Sequence, residues 1–217
     1  MGTATMPASE SAFTIVALAS SAGGLNALSR IVEALPSDFP VPIVVVQHLD
    51  PRHRSLMASI LTRRTALTVK EAEEGEGLLA GTVYLAPPDR HLLVNSDRTL
   101  SLTQSELVHF VRPSADLLFE SVAASHKAGA VAVVLTGSGS DGSMGVRAVK
   151  KMGGTVIVQD PMSCEFPGMP DASIQTGQVD FILPLKEIPS ALRNLLSRGE
   201  HHARAGHAIE GTERDRP

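Results

Sequence analysis

Ser20 and Ser21 end the apolar, β-branched run from Phe13 to Ala19, just before Ala22-Gly23-Gly24. His48 closes the run Val41 to Gln47. Asp141 lies in the loop after Ala130 to Leu135, and Asp160 follows the run that starts at Thr155. A hydroxyl, an imidazole and a carboxylate are the parts that activate an oxygen nucleophile. The imidazole takes the hydroxyl proton, and the carboxylate fixes its tautomer and stabilises the imidazolium. The chain order Ser…His…Asp is not the Ser…Asp…His of α/β-hydrolases, and Gly-x-Ser-x-Gly is absent. Geometry, not chain order, decides such chemistry. Taken alone, the turn after Ala19 reads first as an ordinary strand–helix junction, with Ser20 or Ser21 as its N-cap.

A second pattern competes. Gly137-Ser-Gly-Ser-Asp-Gly142 matches Gly-x-Gly-x-x-Gly, follows an apolar run and opens a helical one, and Asp160 stands where a ribose-binding acid would. This alternative is a dinucleotide- or phosphate-binding protein. It ranks second, because the pattern sits late in the chain and Asp141 lies near the place a pyrophosphate would rest. It also leaves the turn at Gly23-Gly24 unexplained.

The elements that must position these groups alternate in type. Buried-strand runs are expected at 13–19, 41–47 and 130–135, with further strands at 82–86, 155–158 and 181–183 and a short strand at 67–70. Helical spacing recurs after Gly24, over 52–64, after Ser114, through Lys151 and over 185–196, with a short helix over 171–176. Asn95-Ser-Asp-Arg98 between 91–94 and 99–102 suggests a hairpin. This pattern predicts an α/β fold: a doubly wound, mostly parallel sheet with helices on both faces, a Rossmann-like three-layer arrangement plus a small β-hairpin. Ligands then bind beyond the carboxyl ends of the strands, where Ser20, Ser21, His48, Asp141 and Asp160 all fall. The expected organisation is a flexible leader at 1–12, one domain over 13–197 and a disordered polar tail at 198–217.

Composition narrows the function classes. The chain has 217 residues, 43% hydrophobic, which suits one well-buried domain. Aromatics are 3% with no Trp, so a base-stacking surface is not expected. The formal net charge of −4 argues against nucleic acid or an anionic membrane as partner. The single Cys164 excludes an intrachain disulfide and a cysteine-rich zinc site. No apolar run is long enough for membrane insertion, and 1–12 lacks a signal peptide's regions, so a cytoplasmic location is expected.

Other polar residues read as structural. His53, His91, His109 and His126 show no ligand spacing. His201, His202 and His207 fall in the polar tail. Cys164 reads as a small packed side chain, and the run Glu71, Glu73, Glu74 and Glu76 as a solvated loop. Arg112 and Asp116 are expected to hold a loop by a salt bridge.

Six motifs then occur in order: Ala-Ser-Ser-Ala-Gly-Gly (19–24), Val-Gln-His-Leu (46–49), Tyr-Leu-Ala-Pro-Pro-Asp (84–89), Arg-Pro-Ser-Ala-Asp (112–116), Leu-Thr-Gly-Ser-Gly-Ser-Asp-Gly (135–142) and Gly-Met-Pro (168–170). In these the chain resembles the catalytic domain of the chemotaxis protein-glutamate methylesterases, the CheB family, from about Phe13 to Leu196. The resemblance implies Ser21 rather than Ser20 as nucleophile, His48 as base and Asp141 as its partner. It implies the N–H groups of Ala22 and Ser138 as oxyanion donors; no metal and no cofactor is expected. The implied reaction is hydrolysis of γ-glutamyl methyl esters on methylated chemoreceptor cytoplasmic helices, with release of methanol; some members also deamidate glutamines. Ala19 stands where typical members have Gly. The family's usual receiver domain has no counterpart before the first strand here; if the chain is complete, the expectation is an enzyme that is unregulated, controlled by a separate regulatory protein, or part of a different sensory pathway.

Overall fold

Runs of Val, Ile and Ala unbroken by polar residues cannot face water on either side, so they are covered on both. In the computed structural model, which describes residues 13–48 and 55–196, these runs form the centre of a seven-stranded sheet, and its two marginal strands, over 68–71 and 181–183, are partly exposed. Its strands are β1 (Ile15–Ser20), β2 (Ile43–Gln47), β3 (Thr68–Glu71), β4 (Thr82–Leu85), β7 (Ala130–Val134), β8 (Thr155–Gln159) and β9 (Phe181–Leu183). A separate antiparallel hairpin joins β5 (His91–Val94) to β6 (Leu100–Thr103). The helices are α1 (Gly24–Ala34), α2 (Met57–Thr62), α3 (Ala115–His126), α4 (Ser143–Lys151), α5 (Gly168–Ile174) and α6 (188–196).

The sheet order is β3-β4-β2-β1-β7-β8-β9, and every neighbouring pair is parallel. Alternation along β1 splits the core in two. Ile15, Ala17 and Ala19 face the layer of α3, α4, α5 and the hairpin. Val16 and Leu18 face α1, α2 and α6. On α1, Ala27, Leu28, Ile31 and Val32 are buried at helical spacing. Each fully buried Leu or Ile contributes roughly 1.5–3 kcal/mol through apolar area removed from water. This is the expected three-layer α/β architecture with its hairpin.

From β1 the chain winds outward through β2, then returns across β1 to β7. The sheet therefore reverses direction between β1 and β7, the place where open α/β sheets carry ligands. Register levels the rim: Ser20 pairs with Gln47, and Ala19 with Val134. The ladder continues past the strand ends. The Ser21 N–H donates to Thr136 O at 3.0 Å, and the His48 N–H to Ser20 O at 3.1 Å.

The elements differ from expectation mostly by a residue or two. The short helix expected at 171–176 begins earlier, at Gly168, because Pro170 fits a first turn, where no N–H is needed. The last helix begins as a 3₁₀ turn, Leu185–Glu187, before α6. The glutamate run is not simply solvated. Lys70 Nζ pairs with Glu73 at 2.9 Å and Glu76 at 2.7 Å, and Glu74 accepts the Leu102 N–H, tying the loop to the hairpin. The leader at 1–12, the tail at 198–217 and His53 lie outside the described residues.

Candidate active site

Ser20 and Ser21 are separated by one peptide and have different surroundings. Ser20 is fully buried and its hydroxyl donates to Gln47 Oε1 at 2.6 Å. Ser21 is partly exposed, and its hydroxyl forms no hydrogen bond to another described residue. Gln47 acts as a brace between two loops. Its Nε2 donates to Ser21 O at 2.7 Å and to His48 O at 3.0 Å. Gly24 permits this: a Cβ there would run into Gln47 Oε1 and lie 2.6 Å from Ser20 Oγ.

His48 Nε2 bonds Asp141 Oδ2 at 2.8 Å, with side-chain exposures of 12% and 4%. When the imidazole is neutral, the proton on Nε2 points at the carboxylate and Nδ1 carries the lone pair. The two nitrogens thus exchange the roles they have in the chymotrypsin template. Asp141 itself is held by the start of α3. Oδ2 also accepts the Ala115 N–H at 2.6 Å. Oδ1 accepts the Asp116 N–H at 3.1 Å and the hydroxyl of the N-cap Ser114 at 2.9 Å. A carboxylate on free helix N–H groups is stabilised in its charged form. Burial alone pushes the Asp141 carboxyl up, but the bond from His48, then the Ala115 N–H, the His48 charge and the Asp116 N–H outweigh it. The net shift is downward.

The support extends further back. The Ser114 N–H donates to His91 Nδ1 at 3.1 Å, and the other nitrogen of this fully buried imidazole donates to Glu106 O at 3.1 Å. Arg112 does not pair with Asp116. It bonds Asp89 Oδ1 through Nε at 2.9 Å and Nη2 at 2.6 Å, and the carbonyls of Gln104 and Ser105 through Nη1. Asp116 turns instead to α4, accepting the Gly145 N–H at 2.7 Å, with His109 Nε2 3.2 Å from its other oxygen. Burial pushes the Asp116 carboxyl up.

The loop after β7 passes close under Ser21. A Cβ on Gly137 would stand 2.8 Å from Ser21 Cβ and collide with Met169. Neither the Ala22 nor the Ser138 N–H donates to a described residue. Ser21 borders a groove between α1 and α2. His48 and Asp141 border a smaller hollow of about 270 Å³ with Phe110 and Ser138. Ser21 and His48 are not hydrogen-bonded to each other, a contact that in ligand-free hydrolases commonly tightens only with substrate.

The glycine pattern at 137–142 is accounted for without a nucleotide. Gly137 admits Ser21, Gly142 turns the chain into α4 at φ 99°, and the Asp141 carboxylate is committed to the start of α3 and to His48. Asp160 caps the turn Pro161–Ser163 by accepting the Met162 N–H at 3.0 Å. Burial, then the charges of Asp160 and Asp171, push the Cys164 thiol up to about 12, which disfavours the thiolate. No described helix is long and apolar enough to cross a membrane.

Residues 16–192 match the family described as CheB methylesterase. The chain belongs to that family. A crystal structure of the Thermotoga maritima CheB methylesterase catalytic domain superposes with a TM-score of 0.81 at 42% identity, covering 84% of this chain and 98% of that one. The curated Thermotoga maritima protein-glutamate methylesterase/protein-glutamine glutaminase is 42% identical over 185 residues, 84% of this chain and 54% of that protein. A Leptospira interrogans relative is 40% identical over 176 residues, 81% of this chain and 91% of that one. This CheB domain thus spans nearly all of one relative and about half of another.

Reasoning from sequence had missed Ser114, the N–H groups of Ala115 and Asp116, Gln47 and His91 as parts of the site. One signal was available for the first of these: a helix start at Ser114 is a natural seat for a carboxylate.

Proposed function

We propose that this CheB domain hydrolyses γ-glutamyl methyl esters on chemoreceptor cytoplasmic helices, releasing methanol, and that Ser21, His48 and Asp141 carry the reaction. His48 Nδ1 takes the proton of Ser21 as its oxygen attacks the ester carbonyl. Asp141, through its 2.8 Å bond to Nε2, holds the ring and stabilises the imidazolium. The N–H groups of Ala22 and Ser138 receive the oxyanion, each worth roughly 3–4 kcal/mol in such a site. The imidazolium returns its proton to the departing methoxide. Water, activated by the same nitrogen, then hydrolyses the acyl-enzyme. A glutamine side chain follows the same path with ammonia as leaving group, so deamidation belongs to the proposal.

The observation that carries this reading is the His48–Asp141 pair, seated on the N-terminus of α3 at the same strand-end rim as Ser21. The choice of Ser21 rests on the hydroxyls: that of Ser20 is buried and committed to Gln47. The test is methanol release from a methyl-esterified receptor fragment by wild type, Ser20→Ala and Ser21→Ala. Ser21→Ala is expected to lose at least about 10³-fold in rate, in line with loss of a triad nucleophile, while Ser20→Ala keeps most of it. The reverse ranking would overturn the assignment.

A further inference from the structure

Beside Ser21, the space between α1 and α2 opens into a groove of about 970 Å³. That is the upper end of the range that takes a drug-sized ligand, and far more than one esterified side chain fills. Its walls are of two kinds. Leu25, Leu56 and Ile60 present apolar surface, and Leu56 is 66% exposed. Arg30 and Arg64 also line the groove, both exposed, and neither guanidinium has a hydrogen-bond or ion-pair partner among the described residues. Among the described residues Glu33 is the lone acid on this lining, so its described wall carries more positive than negative side chains in a chain whose formal net charge is −4.

Exposed apolar side chains beside unpaired guanidinium groups match an amphipathic acidic surface. Apolar side chains of the occupant cover the leucines, and its carboxylates meet the arginines with the fork geometry that guanidinium favours. The groove ends at the proposed nucleophile, so its occupant is continuous with the reacting ester. We infer that the α1–α2 groove binds the acidic, amphipathic stretch of the protein substrate that flanks the esterified glutamate, with Arg30 and Arg64 selecting for its carboxylates. This rests on the esterase reading for what lies at Ser21, and deepens it by naming what recognises the flanking chain.

The test reads binding, so that it stands apart from catalysis. Full-length Ser21→Ala protein is titrated by fluorescence anisotropy with two labelled amphipathic peptides, each with one γ-glutamyl methyl ester. One carries free glutamates around the ester, and the other carries glutamines in their place. The acidic peptide is expected to bind about tenfold more tightly at low salt, an ordinary return for complementary charge at an interface. Arg30→Gln with Arg64→Gln is expected to bring the ratio near one, and added salt to shrink it. Because the readout is a ratio, a general loss of folded protein cannot imitate it. Equal affinities in the parent, or a ratio untouched by the double substitution, overturn the proposal. So does undiminished binding of both peptides by a Leu56→Asp variant. Wild type that binds with the expected ratio but releases no methanol removes the esterase reading and leaves the groove standing.

Discussion

Gln47→Leu removes a side chain that makes three hydrogen bonds while nearly keeping its volume. It leaves the fully buried Ser20 hydroxyl without its acceptor at 2.6 Å, and an unsatisfied buried group costs about 1–3 kcal/mol. The Ser21 carbonyl keeps the Gly24 N–H at 2.9 Å, but the His48 carbonyl loses the Gln47 amide at 3.0 Å, adding about 1 kcal/mol. The expected destabilisation is about 2–4 kcal/mol, read as a lower urea midpoint at unchanged slope. Ser20→Ala alone strands Gln47 Oε1 and costs roughly 1–2 kcal/mol. Removing both polar partners relieves both, so the double variant should be more stable than the sum of the singles predicts, by about 1–2 kcal/mol of coupling. In turnover, Gln47→Leu should fall about tenfold, because the same amide fixes the carbonyls of both Ser21 and His48, and small displacements at a reacting centre are costly. Additive stabilities, or a Gln47→Leu rate equal to wild type, would refute the view of Gln47 as the brace between the two loops.

Two more outcomes follow from the same geometry. Gly137→Ala puts a methyl 2.8 Å from Ser21 Cβ and against Met169, so thermal unfolding should report about 1–3 kcal/mol of overpacking, with a drop in turnover; wild-type kinetics would show that the loop does not set the serine. Asp141 is held below its ordinary value in the fold, so its stabilising effect is complete above the unfolded carboxylate's range near 3.9 and is lost as pH falls through the lower folded value. The stability gap between wild type and Asp141→Asn, measured by urea unfolding across pH, should therefore narrow on acidification below about pH 4, and a constant gap would show that the carboxylate's charge is not what matters.

The sheet, its layers and the rim that collects Ser21, His48 and Asp141 were legible because buried parallel strands announce themselves as unbroken apolar runs, and strand ends collect function. The choice between Ser20 and Ser21 was not legible from local pattern. Both are small polar residues at one strand end, and only the fold decides which meets Gln47 and which faces the groove. That choice came from the family resemblance. The seat of Asp141 was hidden for a different reason: its partners at Ser114, Ala115 and Asp116 lie more than two dozen residues earlier, on another helix. Arg112 and Asp116 were rightly read as structural but wrongly joined. The guanidinium finds Asp89 across the chain, whereas Asp116, inside the first turn of α3, is carried toward α4.

Strands β2, β1 and β7 lie side by side in the middle of the sheet, while β3 and β9 form its margins. Local opening begins where backbone hydrogen bonds are least covered, so the margins can fray while the centre stays closed. Deuterium should therefore enter the outer strands first and reach the amides of Val16 to Ala19 last. The loops that carry Ser21, His48 and Asp141 hang from these central strands, so the borders should open under stress while the proposed triad stays assembled.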